Sequence, residues 1–119
     1  MTYSMLILSD QDPEIIKKKL DVDKNIKRYY SHVMPNLTWY IHKNQIDIFF
    51  IFHVNEDYKK KWSEAKCMIE YLDSTVEEGK PSLEYIKLYN SSIKHYLGKM
   101  MWANDDSNEY SEYEPEVFR

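Results

Sequence analysis

Apolar residues along the chain change their spacing several times, and each change marks the edge of an element. Tyr3-Ser4-Met5-Leu6-Ile7-Leu8 is a short run in which Met5 to Leu8 put apolar groups on both faces of a strand, the pattern of an interior position in a sheet. Asp12-Pro13-Glu14 reads as a helix start: a side-chain acceptor at the N-cap, a proline whose missing N–H costs nothing at the first position, and an acid near the positive helix end. The spacing predicts a helix from Pro13 to about Leu20. Asp21 and Asp23 then offer a break and a new cap. Ile26, Tyr29, Tyr30 and Val33, at i, i+3, i+4 and i+7, predict a second helical piece over Lys24 to Val33, stopped by Met34-Pro35-Asn36.

Leu37 to Lys43 and Ile46 to Val54 are β-rich runs separated by Asn44-Gln45, a hairpin signal without glycine. Pairing across that turn sets Lys43 opposite Ile46 and His42 opposite Asp47. The second run is apolar on both faces at Phe49 to Phe52 and is expected to be the central strand. Beyond Asn55, a cap followed by Glu56 and Asp57, the residues Tyr58, Trp62, Ala65, Ile69, Leu72 and Val76 step by 4, 3, 4, 3 and 4, which predicts one long helix. Gly79-Lys80-Pro81 ends it, and Ile86, Tyr89, Ile93, Tyr96 and Met100 predict the last helix. The order βαββαα describes an α+β domain with a small three-stranded sheet, a first strand and then a hairpin, covered by helices. Residues 1–102 are expected to form a single α+β domain and 103–119 an acidic, tyrosine-containing C-terminal tail.

Composition changes this picture mainly through charge. The net charge is −4, and residues 103–119 hold six of the twenty acidic side chains and one of the sixteen basic ones. The tail therefore carries −5 and the rest of the chain +1. Fourteen lysines against two arginines, with a pI near 5.5, argue against generic nucleic-acid binding, because arginine is the usual bidentate reader of phosphate and guanine. One cysteine, Cys67, can form no internal bridge. With no charged-then-apolar leader, the expected setting is the cytoplasm, or a host cytoplasm if the source is viral. The run Ile46 to Val54 is too short to span a bilayer as a helix, so no membrane segment is expected. Abundant Ile, Tyr, Lys and Asn with two Ala, two Gly and two Arg is what AT-rich coding sequence produces, which points to phages, large DNA viruses or low-GC bacteria.

Candidate chemistry is sparse. Two glycines exclude the usual phosphate-cradling loops, and no CxxC, HExxH or EF-hand spacing occurs, so neither a cofactor nor a metal is expected. The four histidines, His32, His42, His53 and His95, read as surface or satisfied core residues, and the hairpin register keeps His42 and His53 apart. Asp10 and Asp12 follow the first strand, where α/β enzymes keep reacting carboxylates, although turn formation and helix capping also explain them. Catalytic use of Cys67 needs a lowered pKa and a nearby histidine. Lys17, Lys18, Lys24, Lys27 and Arg28, followed by Tyr29 and Tyr30, interleave charge and rings as single-stranded nucleic-acid binders do. Lys59-Lys60-Lys61, at the start of the long helix, opposes the helix dipole and suggests a partner such as the acidic tail.

The tail is the clearest functional signal. Asp105, Asp106, Glu109, Glu112, Glu114 and Glu116 supply steering charge, and Tyr110, Tyr113 and Phe118 supply rings to bury, which suits docking on a basic, partly apolar surface. The expected function is a non-enzymatic protein-binding module of antagonist type, such as a phage or viral inhibitor of a host factor or a toxin-immunity-like protein, masking a basic surface on a larger partner. A nucleic-acid accessory protein using Lys17 to Tyr30, and a small enzyme near Asp10 and Asp12, are the alternatives. A homodimer is plausible because the sheet is apolar on both sides.

Overall fold

The computed structural model describes residues 3–76, 79–103 and 109–118. Its elements are β1 (Tyr3–Ser9), α1 (Pro13–Val22), β2 (Ile26–Tyr30), β3 (Thr38–His42), β4 (Asp47–His53), α2 (Glu56–Lys61), β5 (Cys67–Asp73), α3 (Leu83–Ser91), a 3₁₀ turn (Ile93–Tyr96), β6 (Met100–Ala103), β7 (Tyr110–Ser111) and a closing 3₁₀ turn (Glu116–Phe118). The strands form one antiparallel seven-stranded sheet in the order β2-β3-β4-β5-β1-β6-β7. The molecule is α+β, but the small three-stranded sheet and the βαββαα order are overturned by three short helices and four further strands.

The corrections share one physical cause. Ile26 to Tyr30 is a strand rather than a helix because Ile26, Arg28 and Tyr30 face one side and Lys27 and Tyr29 the other, each residue paired with β3. Val33, the last member of the expected helical stripe, is 88% exposed. The long helix after Asn55 stops at Lys61, and Cys67 to Asp73 becomes β5, the middle strand of the sheet. Its burial alternates strictly, and seven residues pair with β1 on one side and β4 on the other. Ile69 and Leu72 satisfied a helical spacing because β5 carries apolar residues on both faces, a pattern that fits either period, and Val76 lies beyond the strand. The last helix ends at Ser91, and Met100, expected on its stripe, begins β6. The second hairpin strand, β4, is interior but not central.

Other expectations hold. Asp12 caps α1 by accepting from Glu14 N at 2.8 Å, with Pro13 in the first turn. Tyr40 faces Phe49 across the hairpin, so His42 meets Asp47 as the register required. Without glycine, the turn places Gln45 itself at a φ of 60°.

Helices α1 and α3 and both 3₁₀ turns cover one side of the sheet. Their Ile16, Leu20, Tyr85, Tyr89, Ile93 and Phe118 close on Ile7, Tyr40, Phe49, Ile69, Tyr71 and Trp102. On the other side α2 lies over the β1-β6-β7 end, where Tyr58 and Lys61 share a recess with Leu6 and Tyr110. Among the described residues no helix covers that side over β2, β3 and β4.

Candidate functional site

The uncovered side of the sheet carries a ladder of rings built by strand alternation. Tyr29 stacks on Trp39 with centroids 6.2 Å apart and planes 8° apart, Trp39 meets Phe50 at 6.2 Å, and Phe50 stacks on Phe52 at 6.2 Å and 10°. Ile41, Ile48, Met68 and Leu72 fill the floor around them, all half-buried. Two charged groups interrupt it. Lys27 Nζ lies 5.2 Å from the Tyr29 ring centroid, at the edge. Glu70 stands at the β5 border, paired with Phe50 of β4 on one side and Leu6 of β1 on the other. Among the described residues no hydrogen bond or ion pair reaches its half-buried carboxylate. In the loop after β2, Val33 and Met34 are 88% and 58% exposed.

The described part of the acidic strip is divided. Phe118 is buried in the core, with its ring centroid 4.7 Å from that of Tyr89. Tyr110 sits in β7, its ring 6.3 Å from Tyr58 and under Lys61 Nζ at 5.5 Å; burial, with Tyr58 beside it, pushes its hydroxyl up to about 12. Glu114 pairs with Lys94 at 3.2 Å. Glu109, Glu112, Tyr113 and Glu116 are exposed. Asp105 and Asp106 lie outside the described residues. Lys59 to Lys61 occupy the last turn of α2, where the helix dipole favours them, and Lys61 does meet the strip through Tyr110.

The basic and aromatic segment is scattered rather than gathered. Lys17 and Lys18 stand on α1 and Lys24 in the following turn, while Lys27 and Tyr29 point to the open side and Arg28 and Tyr30 to the other. Arg28 is committed internally: it pairs with Asp21 and donates from Nε to Tyr40 Oη at 3.1 Å and from Nη1 to Tyr30 Oη at 3.3 Å, and its guanidinium is held above its ordinary pKa chiefly by the Tyr30 bond. Asp10 Oδ1 accepts from Lys99 N at 2.8 Å and Asp12 caps α1, so both carboxylates have structural work. Cys67 is buried, and desolvation pushes its thiol up to about 12, the opposite of nucleophile activation. Among the described residues no group of three or more metal-ligating side chains forms, and no helix is long and apolar enough to cross a membrane.

One cluster escaped the sequence reading. Asp47, 1% exposed, accepts at Oδ1 from His42 N at 3.0 Å and at Oδ2 from Tyr71 Oη at 2.6 Å, and lies 2.5 Å from His42 Nδ1. Burial, with the Asp47 charge beside it, holds the Tyr71 hydroxyl well above its ordinary pKa. His42 Nε2 lies 3.0 Å from Ser92 Oγ, at the junction of α3 and the first 3₁₀ turn. His42 and Ser92 line a cleft of about 410 Å³ with Asp23, Asn25, Lys43 and Tyr96. The hairpin register brought His42 to Asp47, but no spacing in the chain announces Ser92, fifty residues downstream.

No protein-family model, curated protein or solved structure matches the chain.

Proposed function

We propose that the protein is a protein-binding module of antagonist type that docks its open sheet face on a basic, partly apolar surface of a larger partner. The observation that carries this reading is Glu70, a carboxylate without a partner among the described residues, on β5 at the border of an aromatic floor. A lysine or arginine from the partner gains there both a counter-charge and ring faces to lie on. The floor from β2 to β5 spans roughly 14 Å at ordinary strand spacing, and five to seven residues of strand make it an apolar patch of roughly 300 Å². That is the size of an interface centre, smaller than the roughly 800 Å² that a stable complex buries on each partner. Glu109, Glu112 and Glu116 add negative potential that accelerates encounter with a basic surface.

Deleting residues 103–119 is a poor test, because it removes Phe118 from the core together with the charge. The discriminating experiment captures the partner from lysate, identifies it by mass spectrometry and measures kinetics with the purified pair. Glu109, Glu112 and Glu116 changed together to Gln should slow association and flatten its salt dependence. Trp39→Ala and Phe50→Ala should speed dissociation tenfold or more, on the order of the cost of losing a central ring. A partner indifferent to both sets, or capture of nucleic acid alone, overturns the proposal.

A further inference from the structure

The cleft beside α3 holds chemistry that the docking face does not use, on the helix-covered side of the sheet. Asp47, His42 and Ser92 are hydrogen-bonded in series, at 2.5 Å and 3.0 Å. Asp47 also accepts from Tyr71 Oη and from the His42 backbone N–H, which fix the carboxylate in place. With that carboxylate on Nδ1, the imidazole keeps its proton there and presents a lone pair from Nε2 to the Ser92 hydroxyl. This is the order of donors and acceptors by which a histidine activates a serine, recognised by geometry rather than by position in the chain. Ser92 is half-buried rather than sealed, and it lines the cleft together with the imidazole.

We propose that Ser92 is an acyl-accepting nucleophile, with His42 as its general base and Asp47 as the positioning residue, acting on small esters or thioesters of polar carboxylic acids. Ser92 Oγ attacks the acyl carbon while Nε2 takes the hydroxyl proton; the C–O or C–S bond to the leaving group breaks and Nε2 returns the proton to it. Water then attacks the Ser92 ester, again giving a proton to Nε2. The acyl bond to Oγ breaks, Oγ recovers the proton, and the free acid leaves. Asn25, Asn44 and Lys43 line the same cleft and are the donors at hand for the developing oxyanion, and their polarity with a volume of about 410 Å³ limits the substrate to a small, polar acyl group.

The test uses p-nitrophenyl acetate with the full chain. The wild type should release a burst of p-nitrophenolate equal to the protein and carry one acetyl group, mapped to Ser92 by peptide mass spectrometry. Ser92→Ala removes only a hydroxyl and should abolish the burst. His42→Gln should slow acylation by about 10²–10⁴-fold, the usual share of a general base. Because His42 is buried, Ser92→Cys provides a second measurement: beside His42 the new thiol should be alkylated by iodoacetamide faster than the same cysteine in the urea-unfolded chain. Folded wild type without acetyl on Ser92, acetylation unchanged in folded His42→Gln, or a Cys at 92 slower than in urea would each overturn the proposal.

Discussion

Phe118→Ala tests whether the acidic end of the chain is part of the fold. The ring of this next-to-last residue is 3% exposed, with centroids 4.7, 5.8 and 6.3 Å from those of Tyr89, Tyr85 and Tyr3, and its carbonyl accepts from Asn90 Nδ2 at 3.3 Å. A buried phenylalanine removes at least about 150 Å² from water, which at about 25 cal/mol per Å² corresponds to roughly 4 kcal/mol. Alanine keeps a little of that, and the cavity adds to the loss, so core Phe→Ala changes cost about 3–5 kcal/mol. Phe118 sits on a three-residue 3₁₀ turn that can shift toward the space, and the lower value, about 3 kcal/mol, is expected. Urea unfolding followed by tryptophan fluorescence reads it, since Trp102 is buried and donates from Nε1 to Tyr89 Oη at 3.3 Å. The midpoint should fall with m unchanged, and Tm should drop by about 10 °C. A loss below about 0.5 kcal/mol would place the ring outside the cooperative core and refute the argument.

Further outcomes follow from single sites. Asp73 accepts from Thr75 N and Oγ1 and from Ser82 N and Oγ at 2.5–2.9 Å; burial raises its pKa, but these bonds outweigh burial and hold it below the model-compound value of 3.8. A depressed carboxylate stabilises above its unfolded pKa, and that contribution is lost as pH falls through the folded value. Asp73→Asn should therefore cost about 2 kcal/mol at neutral pH, with the gap to wild type closing below about pH 4 in urea titrations. Cys67, pushed up to about 12 by burial, should react with iodoacetamide at pH 8 roughly a thousandfold more slowly in the native protein than in urea; equal rates would mean that the thiol is open. A Cβ on Gly98 would come within 2.3 Å of Asp10 Oδ1, the oxygen that accepts from Lys99 N. Gly98→Ala should cost about 1–2 kcal/mol, and a double-mutant cycle with Asp10→Ala should show strong coupling, whereas additive losses would contradict the shared contact.

How much of this was legible depended on whether one residue pattern allowed one period or two. Asp12-Pro13-Glu14 is local chemistry with one reading, and α1 starts there. The hairpin at Asn44-Gln45 could be read down to the pairing of His42 with Asp47, because strand register is arithmetic once the turn is placed. Cys67 to Asp73 was not legible as a strand: both of its faces are apolar, so its residues fit a helical stripe equally well, and the choice was made by hydrogen bonds to β1 and β4, which lie far away in sequence. The same error hid the site. Read as helical, Ile26 to Tyr30 gave a basic and aromatic patch; as β2 it sends Tyr29 to the open face and Arg28 to Asp21 and Tyr40. Glu70 fell within the expected long helix, and β5 sets it between Phe50 and Leu6. Ser92 joins His42 only through tertiary structure, where no local pattern reaches.

The most direct measurement of the account is the affinity of the purified partner complex for Glu70→Lys, with Tm recorded alongside. Reversing the charge at the β5 border of the aromatic floor should weaken binding by about a hundredfold or more while Tm stays near that of wild type, and an acidic residue introduced at the facing lysine or arginine of the partner should restore much of the loss. Wild-type affinity in a folded Glu70→Lys protein would contradict the claim that this face meets a basic surface.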